Sequence, residues 1–181
     1  MFQFRRRVLP LLALAATLSA PSAYALPGMD IGVMGGGSFA KSNQSGLDSK
    51  FGISGGASVG LGPLEISALY TQYKIGATVL GISAETTFNY LDLPVLYRVS
   101  AGPVSVGLGG FYSLFLSGSV TTAGVTTNVT DGESNYGATA SARFTIPVLG
   151  FFVDGRYNLG LKDQGGSKLS SMAAYIGWNF L

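Results

Sequence analysis

Apolar and polar residues alternate with a period of two along most of the chain. From Phe151 to Lys162, one row is Phe151, Val153, Gly155, Tyr157, Leu159 and Leu161. The other row is Phe152, Asp154, Arg156, Asn158, Gly160 and Lys162. A period of two predicts strands. Tight breaks fall at Gly62-Pro63, Ala101-Gly102-Pro103 and Pro147-Val148-Leu149-Gly150. Between them lie polar stretches at Lys41 to Lys50, around Leu80-Gly81, at Thr121 to Glu133 and at Asp163 to Ser170. Short and long connections therefore alternate. The spacing predicts eight strands, at Met29–Ala40, Phe51–Leu61, Leu64–Thr78, Ala84–Ser100, Val104–Val120, Asn135–Ile146, Phe151–Lys162 and Ser171–Leu181.

The same two rows appear in the other strands. Tyr136, Ala138, Ala140, Ala142, Phe144 and Ile146 oppose Gly137, Thr139, Ser141, Arg143 and Thr145. Val104, Val106, Leu108, Gly110, Tyr112, Leu114 and Leu116 oppose Ser105, Gly107, Gly109, Phe111, Ser113, Phe115 and Ser117. Leu91, Leu93, Val95, Tyr97 and Val99 oppose Tyr90, Asp92, Pro94, Leu96, Arg98 and Ser100. The third strand opens with Leu64, Ile66, Ala68 and Tyr70 against Glu65 and Ser67. It then slips near Thr71-Gln72, which predicts a bulge there.

Composition decides which row is wet. Charged residues are 11% of the chain, hydrophobic residues 47%, and Gly alone counts 27. Ordinary soluble domains carry roughly 25% charge, so these charges are too few to cover a soluble surface. Past the N-terminal leader, no segment reaches the roughly 20 apolar residues of a membrane helix. A soluble ligand-binding barrel would put the apolar row inside. Its surface would then be Gly, Ser, Thr and Ala, the small residues that instead fill a narrow eight-stranded interior. Placing Arg or Lys on a lipid face costs roughly 2–4 kcal/mol at mid-bilayer. Aromatics near strand ends (Phe39, Tyr136, Phe144, Phe151, Trp178 and Phe180) read as interfacial girdles. The expectation is an all-β, eight-stranded, antiparallel up-and-down transmembrane β-barrel with the polar row in its lumen.

The lumen row then carries an ion network. Residues equidistant from the turn centre between Val148 and Leu149 should pair, which sets Arg143 against Asp154. Arg156 lies above them, and Asp30, Glu65, Asp92 and Arg98 extend the network. Tyr90, Phe111, Phe115, Phe152 and Tyr175 fill the remaining width. Eight strands enclose a space just wide enough for side chains, so a filled lumen rather than an open pore is expected.

The N-terminus reads as an export signal. Arg5, Arg6 and Arg7 precede the apolar run Val8 to Ala20, and Ala23-Tyr24-Ala25 fits cleavage after Ala25. Residues 26–181 would then form the barrel. Removing the leader leaves eight cations against nine acids, a net charge of −1. No basic footprint for nucleic acid remains. The chain has no Cys and no His. It therefore lacks thiol chemistry, the usual general base and the commonest metal ligand. A Ser–Lys pair is conceivable, but Lys41, Lys50 and Lys168 lie in polar stretches among many serines, which is the composition of any wet loop. The glycine-rich runs GVMGGGSFA and VGLGGFY lack phosphate-loop spacing and lie within strands. Asn128-Val129-Thr130 fits a glycosylation sequon without further meaning, and Asp131 with Glu133 reads as a solvated tip. No enzyme activity, no cofactor and no metal site is expected.

Four stretches carry a family resemblance: Asp30-Ile31-Gly32-Val33, Asn89-Tyr90-Leu91-Asp92-Leu93-Pro94-Val95-Leu96-Tyr97, Asp154-Gly155-Arg156-Tyr157-Asn158-Leu159-Gly160-Leu161 and Tyr175-Ile176-Gly177-Trp178-Asn179-Phe180. In these the chain resembles the small outer-membrane β-barrels of Gram-negative bacteria, the porin-family or PorT-like group. The group's chains usually end on an aromatic residue, and this one ends at Leu181, one residue past Phe180. The resemblance implies a place in the bacterial outer membrane. Its partners would be membrane lipid, the barrel-assembly machinery during insertion and an extracellular ligand still to be identified. Known outer-membrane enzymes resemble one another in using a His, which this chain does not have, so none of their mechanisms is expected here. Three roles follow: a structural or surface-interaction protein working through its outer loops, a narrow passive channel, or a soluble periplasmic binder.

Overall fold

A computed structural model describes residues 28–42, 47–79, 82–146, 148–163 and 168–180. The leader, Leu80-Gly81 and the middles of two polar stretches lie outside the described residues. The strands are β1 (Met29–Ser42), β2 (Leu47–Leu61), β3 (Leu64–Val79), β4 (Ile82–Ala101), β5 (Val104–Thr122), β6 (Val125–Val129), β7 (Asn135–Thr145), β8 (Phe151–Gly160) and β9 (Leu169–Asn179). Every pairing is antiparallel. The ring runs β1-β2-β3-β4-β5-β7-β8-β9 and closes where β9 meets β1. Closure leaves no free edge in the wall.

Eight strands build the barrel, as the alternation predicts. The ninth, β6, corrects the reading of Thr121 to Glu133 as loop. Among the described residues it pairs only with β5, from Thr122↔Val125 to Gly118↔Val129. Ala123 and Gly124 take φ of 49° and 82°, the mirror-image turn that matches strand twist in a two-residue hairpin. The result is a ribbon standing on the barrel's long-loop end.

The predicted slip at Thr71-Gln72 is also corrected. β3 keeps its phase, with Glu65, Ser67, Leu69, Thr71 and Tyr73 all buried. The register shift lies opposite, in β2 between Lys50 and Ser54. A second shift falls on β5, where Asn89 pairs with Ser117 but Tyr90 with Phe115. This bulge at Leu116 turns Ser117 out and Gly118 in, so Ser117 leaves the row assigned to it.

At the other end the connections are tight. Gly62 and Gly102 take φ of 59° and 61° and each is followed by Pro. Glycine at the first central position is what such hairpins require. The third turn departs from the pattern: Val148 takes φ of 74°.

The wall that results is apolar outside. Val59, Ile66, Val95, Val106, Leu108, Val153 and Ile176 all face outward and are exposed. From the tight turns up to the level of Tyr70 and Asn89, no charged residue faces outward. The Tyr70 hydroxyl donates to Asn89 Oδ1 at 2.8 Å, and Asn89 Nδ2 donates to Ser117 Oγ at 2.9 Å. This polar seam marks the upper edge of the apolar belt. At the lower edge Phe151 and Trp178 stack with centroids 5.8 Å apart, and Trp178 meets Phe180 at 4.7 Å.

Candidate functional site

The lumen holds the densest chemistry, because strand alternation sends Glu65, Arg98, Arg143, Asp154 and Arg156 to the same side of four strands. Arg143 and Asp154 are in direct register across β7 and β8. Arg143 Nη2 lies 2.8 Å from Asp154 Oδ2, and its Nη1 lies 2.8 Å from Glu65 Oε2. Arg98 reaches Glu65 at 2.7 Å and Asp154 at 2.8 Å. Arg156 reaches the same two acids at 2.7 Å and 3.1 Å. Three guanidinium forks thus span two carboxylates, and Ser141 Oγ donates to Asp154 Oδ1 at 2.6 Å. Arginine suits this position, since its planar fork can serve two acids at once. Asp154 is wholly buried and Arg156 nearly so.

Two residues assigned to this network stand apart from it. Asp30 is half-buried beside Gly60, its partner on β2, and makes no ion pair among the described residues. Asp92 belongs to a separate layer with no cation. It accepts from the Tyr73 hydroxyl at 2.8 Å, and Tyr73 also contacts Ser171 Oγ at 3.2 Å. The physical reason is height: Asp92 sits well up β4, opposite Leu69 and Ser113, whereas the arginines cluster towards the tight turns.

Aromatic layers close the lumen on both sides. Below, Phe152 is 1% exposed and packs on Gly177, with the Arg143 guanidinium 4.0 Å from its ring centroid. Met34, Leu69 and Tyr175 continue its cluster upward past the ion network, with Tyr175 level with Asp154 and Leu69 level with Asp92. The Tyr175 hydroxyl meets Ser54 Oγ at 3.0 Å, and Ser54 meets Thr71 at 2.8 Å. Above, Tyr90 packs against Tyr73 at 5.7 Å and Phe115 at 5.6 Å, with Phe88 alongside. Phe111 is buried below them, while Phe115 is half-buried near the rim. Sequence reasoning missed Met34, Leu69, Tyr73 and Phe88 as lumen residues. Counting β3 and β4 strictly in steps of two would have found Leu69, Tyr73 and Phe88. Attention to polarity instead suggested a slip.

Charge is partitioned by residue type. The barrel residues Arg98, Arg143 and Arg156 are all interior, and every lysine of the barrel (Lys41, Lys50, Lys74, Lys162 and Lys168) lies at the long-loop end. Asp48, Glu85, Asp131, Glu133 and Asp163 share that rim. Lys50 pairs with Glu85 at 2.7 Å, and Lys162 with Glu133 at 3.2 Å. Among the described residues, no group of acids and other ligands could hold a metal ion.

No model of a known protein family matches the chain, and no curated protein matches it. Solved structures do. Neisserial surface protein A (NspA) superposes with a TM-score of 0.57 at 19% identity, over 86% of this chain and 98% of that one. Ail, the attachment invasion locus protein of Yersinia pestis, solved in complex with the heparin analogue sucrose octasulfate, gives a TM-score of 0.55 at 15% identity. That match covers 84% of this chain and 97% of Ail. The protein is a closed eight-stranded antiparallel transmembrane β-barrel with the fold of these bacterial outer-membrane proteins.

Proposed function

We propose that this barrel is a bacterial outer-membrane protein with a sealed lumen, working at the cell surface through its long-loop end. One observation carries the reading. The interior is crossed by the Arg98–Arg143–Arg156 network on Glu65 and Asp154, with Phe152 below, Met34, Leu69 and Tyr175 packed beside and over it, and the Tyr73–Tyr90–Phe115 layer above. Ion pairs and rings that fill a narrow interior leave no continuous water column. Loops on a rigid scaffold then become the natural place for recognition. The barrel supplies that scaffold, and the β5–β6 ribbon extends it outward with an uncharged, threonine-rich surface.

The absence of His anywhere in the sequence supports a role without catalysis. Membrane lipid and the barrel-assembly machinery are its expected partners, with an extracellular ligand at the rim and no nucleic acid. The motifs in β4, β8 and β9 support a place near the porin-family or PorT-like group. Ail is described with a heparin analogue, but the rim here balances five lysines with five acids. The rim as a whole therefore carries no excess of positive charge to favour a sulfated sugar. The narrow-channel reading draws on the abundance of glycine.

Planar-bilayer recording separates the two readings. The purified barrel should give no reproducible conductance steps. Steps that change on Arg98→Ala or Arg156→Ala would put the channel first. Exchange of residues 121–130 for a short turn, followed by a cell-surface or matrix binding assay, tests the ribbon's role.

A further inference from the structure

The three tight turns solve one geometric problem in two ways. Two of them place glycine in the left-handed region, at Gly62 and Gly102. The third, a longer turn, places Gly150 there with φ of 69°, and Val148 as well, with φ of 74°. A β-branched residue in that region is an outlier, since its branched Cβ crowds the backbone. The Val148 side chain is nevertheless fully exposed, at 103%. Glycine or asparagine would suit the backbone better, and among the described residues no packing holds valine in place. Its apolar surface is open to the medium around the turn, so any partner lies outside the barrel.

The surroundings say what that partner is. Leu149 beside it is 58% exposed and Ile146 is 43% exposed. Both are continuous with Phe151, Val153 and Trp178 of the outer wall, and Trp178 packs over Gly150 of the same turn. The other two turns read Leu61-Gly62-Pro63-Leu64 and Ala101-Gly102-Pro103-Val104, again without charge. The lysines and the exposed acids of the rim all stand at the opposite end. We infer that the Val148–Leu149 tip is a lipid contact, inserted into the periplasmic leaflet of the membrane rather than projecting into periplasmic water. The apolar belt then continues past the end of β7 and β8, and Val148 acts as a small wedge among phospholipid chains. This rests on the membrane orientation proposed above.

The chain has no cysteine, so single-cysteine probes report cleanly. An environment-sensitive fluorophore would be attached at Val148→Cys, Leu149→Cys, Leu108→Cys in the belt and Val125→Cys on the ribbon, in phosphatidylcholine vesicles. Emission at 148 and 149 should be blue-shifted like that at 108, quenched by brominated phospholipid and protected from iodide. Emission at 125 should show the reverse. Iodide quenching at 148 and 149 equal to that at 125, with 108 still in lipid, would overturn the inference alone. Iodide access at 108 would instead overturn the membrane reading on which it rests. A second measurement uses Val148→Gly. Relief of strain should raise its unfolding midpoint in detergent micelles, where leaflet depth is lost. In bilayers that gain should shrink or reverse. Equal gains in both media would show that the valine side chain has no lipid role.

Discussion

Asp154 is a wholly buried carboxylate held by three arginines, and its removal strands charge in a medium that cannot solvate it. Breaking such a pair typically costs about 3–5 kcal/mol. Asp154→Ala should therefore lower the unfolding free energy by that order, read from a urea titration followed through the single Trp178. Asp163→Ala, on the exposed rim, should stay within about 0.5 kcal/mol. Equal effects would place Asp154 outside a buried network. The rim pair behaves differently. Lys50 beside Glu85 holds that carboxyl below the ordinary glutamate value by hydrogen bonding. Its stabilisation is present above the unfolded-state value and fades as pH falls through the lowered one. Water and salt screen it, so Glu85→Gln should change stability by roughly 0–1 kcal/mol. The effect should disappear in 1 M salt, where the Debye length is about 3 Å.

Two elements show how local choices control the fold. On β9, Gly177 leaves room for the Phe152 ring directly opposite it in register. A branched side chain there would force the ring and the adjoining Val33 carbonyl apart. Gly177→Val should destabilise by about 1–3 kcal/mol, the usual range for overpacking, measured by the same urea titration. Gly35, with open space around its Cβ position, is the control: Gly35→Ala should be nearly neutral. The β6 ribbon is the opposite case. Among the described residues it pairs only with β5, so replacing residues 123–130 with a two-residue turn should leave the unfolding free energy within about 0.5 kcal/mol of the parent. Loss of heat-modifiable gel mobility in that variant would show that the ribbon helps hold the barrel.

At the scale of the whole molecule, the distribution of charge follows from solvent. Arginine is interior because its planar fork can bridge two acids at once. Lysine is at the rim because a strongly hydrated ammonium needs water. The wall between them is neutral because hydrocarbon tolerates no uncompensated charge. The same partition predicts a silent barrel in planar bilayers, even at high voltage. Conductance would mean that the aromatic layers part.

Much of this was legible in the chain because a strand's side-chain period is fixed at two. Turn spacing and alternation set the eight strands. The turn centred between Val148 and Leu149 set Arg143 opposite Asp154, since a hairpin's register is fixed by its turn. Low charge decided that the polar row faces inward. Other features were set only by tertiary structure. The bulges at β2 and β5 are one-residue register shifts that leave no mark in composition, and they alone turn Ser117 outward. Asp92 and Glu65 look alike in sequence. Strand stagger around the closed ring puts one beneath a tyrosine and the other among three arginines. The sequence specifies which face each side chain takes. Closure of the ring sets the height at which it meets its neighbours, and so which charges can pair.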